Sequence, residues 1–274
     1  MAEYIDRRRM KGEVKSLLAD AQVSPKAMTA LYLGLMLALN FLSTITGDHG
    51  IISTFVYILS SLMSLVLHAG FVFYCMAIRR GERAEFLTMF DGFSFVGKII
   101  ALNLVMTGFV FLWSMLFVIP GIIAAYRYRF ALYNLYENPE LSVMEALNLS
   151  KRQTFGYKGQ LFMLDLSYIG WSILAGLPTL FYNASFYQDT YQAASDFVVG
   201  TISFIPEAAA AVVLPAVAWT LIMGVWDLVV SVFYYPNYVC VELGYFETAK
   251  RTSGTTSYSS RNPWQNGPDN MGGF

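Results

Sequence analysis

IISTFVYILSSLMSLVLHAGFVFYCMAIRR, from Ile51 to Arg80, decides the fold. Between Ile51 and Ile78 it contains no Asp, Glu, Lys or Arg. A helix needs about 20 apolar residues to cross a hydrocarbon layer of about 30 Å. This run exceeds that and has length to spare for tilt. It stops on Arg79 and Arg80, with Arg83 close behind, as a span does where it meets headgroups.

Composition extends that reading to the whole chain. Of 274 residues, 56% are hydrophobic and 14% charged. Soluble domains carry about 25% charged residues. So few charges would leave a water-facing surface bare, whereas lipid solvates apolar side chains directly. The 21 Phe, 18 Tyr and 13 Met suit the same environment. The net charge of −1 points to no polyanion partner, and nucleic acid is excluded on that ground. The cysteines, Cys75 and Cys240, stand in apolar runs and read as small core residues. Two Cys and two His do not make a zinc set without carboxylates, so no metal or cofactor is expected.

Five further spans are read on either side of the first. Upstream, residues 1–26 form a cytoplasmic amphipathic segment, helical over Glu3–Ala21. There Arg7, Arg8, Arg9, Lys11 and Lys15 are expected to face lipid headgroups. Ser24-Pro25 marks a helix start. Ala27–Thr46 is an uncharged span, followed by the Gly47–Gly50 turn. No cleavable leader pattern precedes it, so this span is expected to stay as an anchor.

Downstream, Val96–Ile119 is a span that Pro120-Gly121 breaks, and Ile122–Tyr136 is a shorter helical run ended by Asn138-Pro139. Ser142-Val-Met-Glu145 is a capping box opening an amphipathic helix to Gln153. Gln160–Tyr182 is the fifth span, Asn183–Phe197 a polar loop, and Pro206–Tyr235 the sixth span. Pro236-Asn237 marks its inner boundary, and Tyr238–Lys250 continues as a helix at or below the membrane surface. The expected class is therefore all-α: a membrane bundle of about six helices over residues 27–250, with cytoplasmic amphipathic helices and a disordered tail at 251–274.

Lys and Arg gather in the N-terminal segment, the Arg79–Arg83 loop, the Lys151–Lys158 stretch and the C-terminus, and avoid the other two loops. The positive-inside rule then puts both termini in the cytoplasm. It also requires the chain to reverse at Pro120-Gly121, since otherwise Lys151–Lys158 would fall outside.

Charges within spans cost about 2.5–3.5 kcal/mol on insertion scales, so those that occur need a reason. Four stand out: Arg127, Arg129, Asp165 and Asp227. Arg129 lies seven residues before Tyr136, Asp165 seven after Lys158, and Asp227 nine before Pro236. At 1.5 Å per residue they share a level roughly 10–14 Å from the inner end. One reading is a binding cluster open to the cytoplasm, for an anion, a headgroup or a proton. The other is a neutral set of ion pairs that fixes packing. Tyr126, Tyr128, Tyr133, Tyr168, Tyr234 and Tyr235 read as belt or packing residues, and His68 as a hydrogen-bonded neutral imidazole. HExxH, GxSxG, P-loop and paired-cysteine signatures are absent from the sequence, so catalytic residues are not assigned and an enzyme is not expected.

The run from Leu112 to Trp171 carries a resemblance. Its pieces are Ile119-Pro120-Gly121-Ile122, Tyr126-Arg127-Tyr128, Asn138-Pro139-Glu140-Leu141-Ser142, Glu145-Ala146, Ser150-Lys151 and Leu166-Ser167-Tyr168-Ile169-Gly170-Trp171, with Arg79-Arg80-Gly81 and Phe90-Asp91-Gly92-Phe93 upstream. They resemble a bacterial membrane family catalogued as domain of unknown function nine-seven-five. That resemblance implies a plasma-membrane location and no assigned activity. A fainter likeness is to the membrane domain beside some glycerophosphodiester phosphodiesterases, whose soluble catalytic part has no counterpart here. Two functions stay open: organising or sensing membrane lipids or membrane protein partners without catalysis, or a small transporter or channel built on the Arg/Asp set.

Overall fold

The computed structural model describes residues 2–45, 51–178 and 206–255, and among them the chain is helical throughout. In order, the helices are α1 (Arg7–Ala19), α2 (Pro25–Ile45), α3 (Ile51–Arg80), a 3-10 segment (Phe86–Phe95), α4 (Val96–Leu116), α5 (Val118–Tyr128), α6 (Ala131–Glu137), α7 (Val143–Gln153), α8 (Lys158–Leu166), α9 (Ile169–Pro178) and α10 (Pro206–Thr252). The turn at Gly47–Gly50, the loop at Asn183–Phe197 and the tail beyond residue 255 lie outside the described residues.

The chain divides into two compact units. The first comprises Met1–Val23, Leu65–Ser167 and Asn237–Phe274; the second comprises Ser24–Ser64 and Tyr168–Pro236. Both α3 and α10 contribute to each.

In the first unit, α4 and α5 form a tight antiparallel hairpin. Its pivot is Phe117, which is extended at φ −160°. The expected break at Pro120-Gly121 is thus displaced by a few residues. Pro120 falls in the first turn of α5, where a missing N–H costs nothing. Gly121 lies where a Cβ would come within 2.9 Å of the Ser114 Cα, so glycine is what lets the two arms touch. Phe109 stacks on Tyr128 farther down the same seam. A second close approach joins α3 to the 3-10 segment: a Cβ on Gly70 would be 2.6 Å from the Met89 Cα. The capping box of α7 forms as the sequence predicts, with Ser142 Oγ accepting from Glu145 N and Glu145 accepting from Ser142 N.

In the second unit aromatic contacts dominate. Tyr32 on α2 stacks on Tyr235 of α10 at 5.9 Å between ring centres, and Trp171 on α9 stacks on Tyr234 at 5.7 Å. Trp226 Nε1 donates to the Leu174 carbonyl at 3.0 Å.

Among the described residues three helical stretches are long and apolar enough to cross a membrane: Pro25–Ser43, Ile51–Arg80 and Phe86–Leu116. A fourth is reached if α8 and α9 make one bent span. Within α4 only Ile99 and Leu102 are buried, while Leu104, Phe111, Leu112, Met115 and Leu116 are exposed. A helix apolar on every side yet so little covered by protein is suited to lipid.

Three expectations change. Ile122–Tyr136 is not one helix, because the chain breaks between α5 and α6 at Arg129 and Phe130. Pro236-Asn237 does not interrupt the last helix: Tyr238–Lys250, expected to be helical, continues it without a break as far as Thr252, since a proline removes one ladder bond, which a long packed helix tolerates. The basic residues of α1 do not all face outward. Arg7 Nη1 donates to the Met163 carbonyl at 2.7 Å and Lys11 Nζ to Ser167 Oγ at 2.9 Å, whereas Arg9 stays exposed and pairs with Glu13 on α1 itself. Amphipathic α1 is laid along α8, within the first unit.

Candidate functional site

The break between α5 and α6 shapes the site. It takes the Phe130 N–H and the Arg127 carbonyl out of the helix ladder, and Ser150 of α7 repairs the backbone around it. Ser150 Oγ accepts from Phe130 N at 3.1 Å and donates to the Arg127 carbonyl at 2.9 Å. Thr154 Oγ1 donates to that same carbonyl at 3.2 Å. A small hydroxyl thus satisfies a donor and an acceptor that the helix no longer can. Behind it, Asn134 and Gln153 exchange two amide hydrogen bonds of 2.8 Å and lock α6 to α7.

Held this way, Arg129 bridges two carboxylates. Its Nη1 and Nη2 donate to Asp165 Oδ2 and Oδ1 on α8, at 2.6 and 2.9 Å. Its Nε and Nη2 donate to Glu242 Oε1 and Oε2 on α10, at 2.6 and 3.1 Å. The Tyr238 hydroxyl accepts from Nη2 and donates to Asp165 Oδ1 at 2.9 Å. The Tyr126 hydroxyl donates to Asp165 Oδ2 at 2.6 Å, and its ring lies 5.4 Å below the guanidinium. Only arginine presents a planar fork able to meet two carboxylates in this way. One cation faces two anions, so the cluster carries one excess negative charge. Side-chain exposure is 16% for Arg129, 6% for Glu242 and 31% for Asp165, leaving Asp165 as its most open edge.

Of the four charges singled out in the sequence, Arg129 and Asp165 come together. Arg127 does not join them. Two positions apart on a helix face nearly opposite ways, and Arg127 lines a separate cavity beside α7 and α8. Asp227 belongs to the second unit, where its Oδ1 accepts from Ser231 Oγ at 3.3 Å. Glu242 and Tyr238 are the members that sequence reading passed over. Glu242 stands alone among Val239, Cys240, Val241 and Leu243, the same isolated-acid signal that marks Asp165, but beyond the expected end of the span. Tyr126, read as a belt residue, is bonded to the cluster instead.

A second ion network ties α3 to α10 and α6. Arg79 pairs with Glu247, and Glu137 takes both Arg80 and Lys250. Cys75 and Cys240 are buried and free. Among the described residues no group of three His, Cys, Asp or Glu is placed to hold a metal ion.

No curated protein and no solved structure matches the chain. Residues 104–206 match the family described as "Protein of unknown function (DUF975)", and the resemblance read from Leu112 to Trp171 falls wholly inside that match.

Proposed function

We propose that this chain is a multi-pass membrane protein with six spans and both termini on the cytoplasmic side, and that it organises or senses membrane lipid or partner proteins without catalysing a reaction. The observation that carries this reading is the closure of the Arg129 cluster. The guanidinium is taken up by Asp165, Glu242 and Tyr238, which is how a clamp is built rather than a ligand seat. Arg7 and Lys11 bond at Met163 and Ser167, on either side of Asp165 in the chain. Two more cations at that level suit the inner membrane edge better than its hydrocarbon. The clamp then fastens α8 and α10 beneath the spans, and the remaining basic side chains are available to anionic headgroups.

The test is thermal unfolding of the protein reconstituted in phosphatidylcholine with rising phosphatidylglycerol. The midpoint is expected to climb with the anionic fraction; an unchanged midpoint at every composition overturns the lipid-sensing reading. One observation favours the second reading, a transporter or channel. Asp165 is the most open charged residue of a cluster with a surplus negative charge. Proteoliposome flux that disappears in Asp165→Asn/Asp227→Asn would support that reading, and flux that survives would sink it.

A further inference from the structure

Beside the clamp, within the first unit, is a cavity of about 700 Å³ whose charged lining is wholly cationic. Arg127 reaches it from the last turn of α5, Lys151 and Arg152 from the last turn of α7, and Lys158 from the first turn of α8. Asn148 and Ser253 add neutral polar groups. Phe155 stands at the same cavity and is 82% exposed, an aromatic beside cations as at a membrane interface.

Elsewhere in the chain Arg9, Arg79, Arg80, Arg129, Lys250 and Arg251 meet carboxylates, and Arg7, Lys11 and Lys98 donate to neutral oxygens. Among the described residues none of the four at this cavity does. Helix electrostatics explains only part of the arrangement. Arg127, Lys151 and Arg152 sit at helix C-termini, where cations are favoured. Lys158 sits at an N-terminus, where a cation is disfavoured and an anion welcome. Three elements thus carry uncompensated positive charge to one hollow, and the backbone carrying Arg127 is pinned by Ser150 and Thr154. Such a set is preorganised for an ionised phosphate group.

We propose that Arg127, Lys151, Arg152 and Lys158 form a phosphate cradle, taking the phosphate of an anionic lipid headgroup or of a free phosphate compound. This rests on the lipid-sensing reading and narrows it to one site.

Full-length protein in neutral detergent is titrated with dioctanoyl phosphatidic acid, dioctanoyl phosphatidylcholine and inorganic phosphate. Unfolding midpoint and, for lipids, retention by native mass spectrometry are read. Phosphatidic acid is expected to raise the midpoint, and phosphatidylcholine to leave it unchanged. Lys151→Gln/Arg152→Gln and Arg127→Gln/Lys158→Gln should each weaken binding about tenfold or more, as loss of charge-assisted bonds does. Arg9→Gln/Arg251→Gln, the same charge change at two exposed residues already paired with Glu13 and Glu3, should bind as the parent does. Response to phosphate alone assigns a free phosphate compound, and response to lipid alone assigns a headgroup; either upholds the cradle. Binding of none of the probes, undiminished binding by the cradle variants, or an equal loss in the Arg9/Arg251 variant overturns it. The exposed pair Lys151/Arg152 decides the matter if the Arg127 variant does not fold. A parent protein that still answers to phosphatidylglycerol in vesicles, with cradle variants doing the same, defeats the cradle while leaving the lipid-sensing reading standing.

Discussion

Arg129 acts on two carboxylates at once, and both depend on it. Removing one partner of a buried ion pair leaves the other charged and unsolvated, at a cost of about 3–5 kcal/mol. Arg129→Met strands Glu242, which is only 6% exposed, together with Asp165. The expected result is a loss of stability in that range, read as a lowered unfolding midpoint in detergent. Arg129→Lys keeps the charge but lacks the fork, so it should fall between the two. An Arg129→Met variant as stable as the parent would show that the cluster is no clamp. Glu145 offers a milder case outside the spans. The Ser142 hydroxyl, followed by the Ser142 backbone N–H, holds its carboxyl below the ordinary value of 4.5. A lowered folded value means stabilisation that is full above the unfolded value and fades as pH falls through the folded one. Protection of the first turn of α7 against hydrogen exchange, corrected for intrinsic rate, should therefore drop in that acid range. Ser142→Ala, which keeps the backbone N–H but loses the hydroxyl, should weaken the dependence and cost α7 about 1 kcal/mol.

Helices in this chain are set by what interrupts them. Phe117 separates α4 from α5, and Arg129-Phe130 separates α5 from α6. Neither break is at a proline or glycine, although Pro120 and Gly121 are close by. Those two residues serve the helix after the break: Pro120 starts α5, and Gly121 allows it to close on α4. Gly121→Val should overfill that seam and destabilise by about 1–3 kcal/mol. Ser114→Gly in the same chain should restore part of the loss, since it removes Ser114 Oγ and Cβ, two of the three nearest atoms, and leaves the Cα. A double variant no better than Gly121→Val would place the damage elsewhere. Unfolding followed by tryptophan fluorescence suits the measurement, with Trp113 in the hairpin itself.

For the whole molecule, the orientation proposed from the Lys and Arg distribution makes a direct claim. Asp189→Cys, in a background with Cys75 and Cys240 replaced by Ala, should react with a membrane-impermeant maleimide in intact cells. Lys15→Cys in that background should react only after the membrane is opened. The reverse pattern would overturn the proposed topology. Orientation is tested together with the odd number of spans that the six-span reading puts between Lys15 and Asp189, because an even number would leave both positions on the same side.

The sequence by itself determined the helical class, the long apolar runs, the capping box of α7 and the start of α2 at Pro25. These depend on neighbours within a turn or two, or on summed hydropathy, so local reading suffices. It also marked Arg129 and Asp165, because a charge in an apolar run is conspicuous wherever it stands. Only the tertiary structure decided the rest. Partnership with Glu242 depends on which face of α10 is turned toward Arg129, and packing sets that. The break after Arg129 is stabilised by Ser150, twenty residues from Phe130 in sequence, which no local reading shows. Depth along the chain placed the charges at a common level, but which of them meet is fixed by rotation about each helix, and that is set by contacts far apart in sequence.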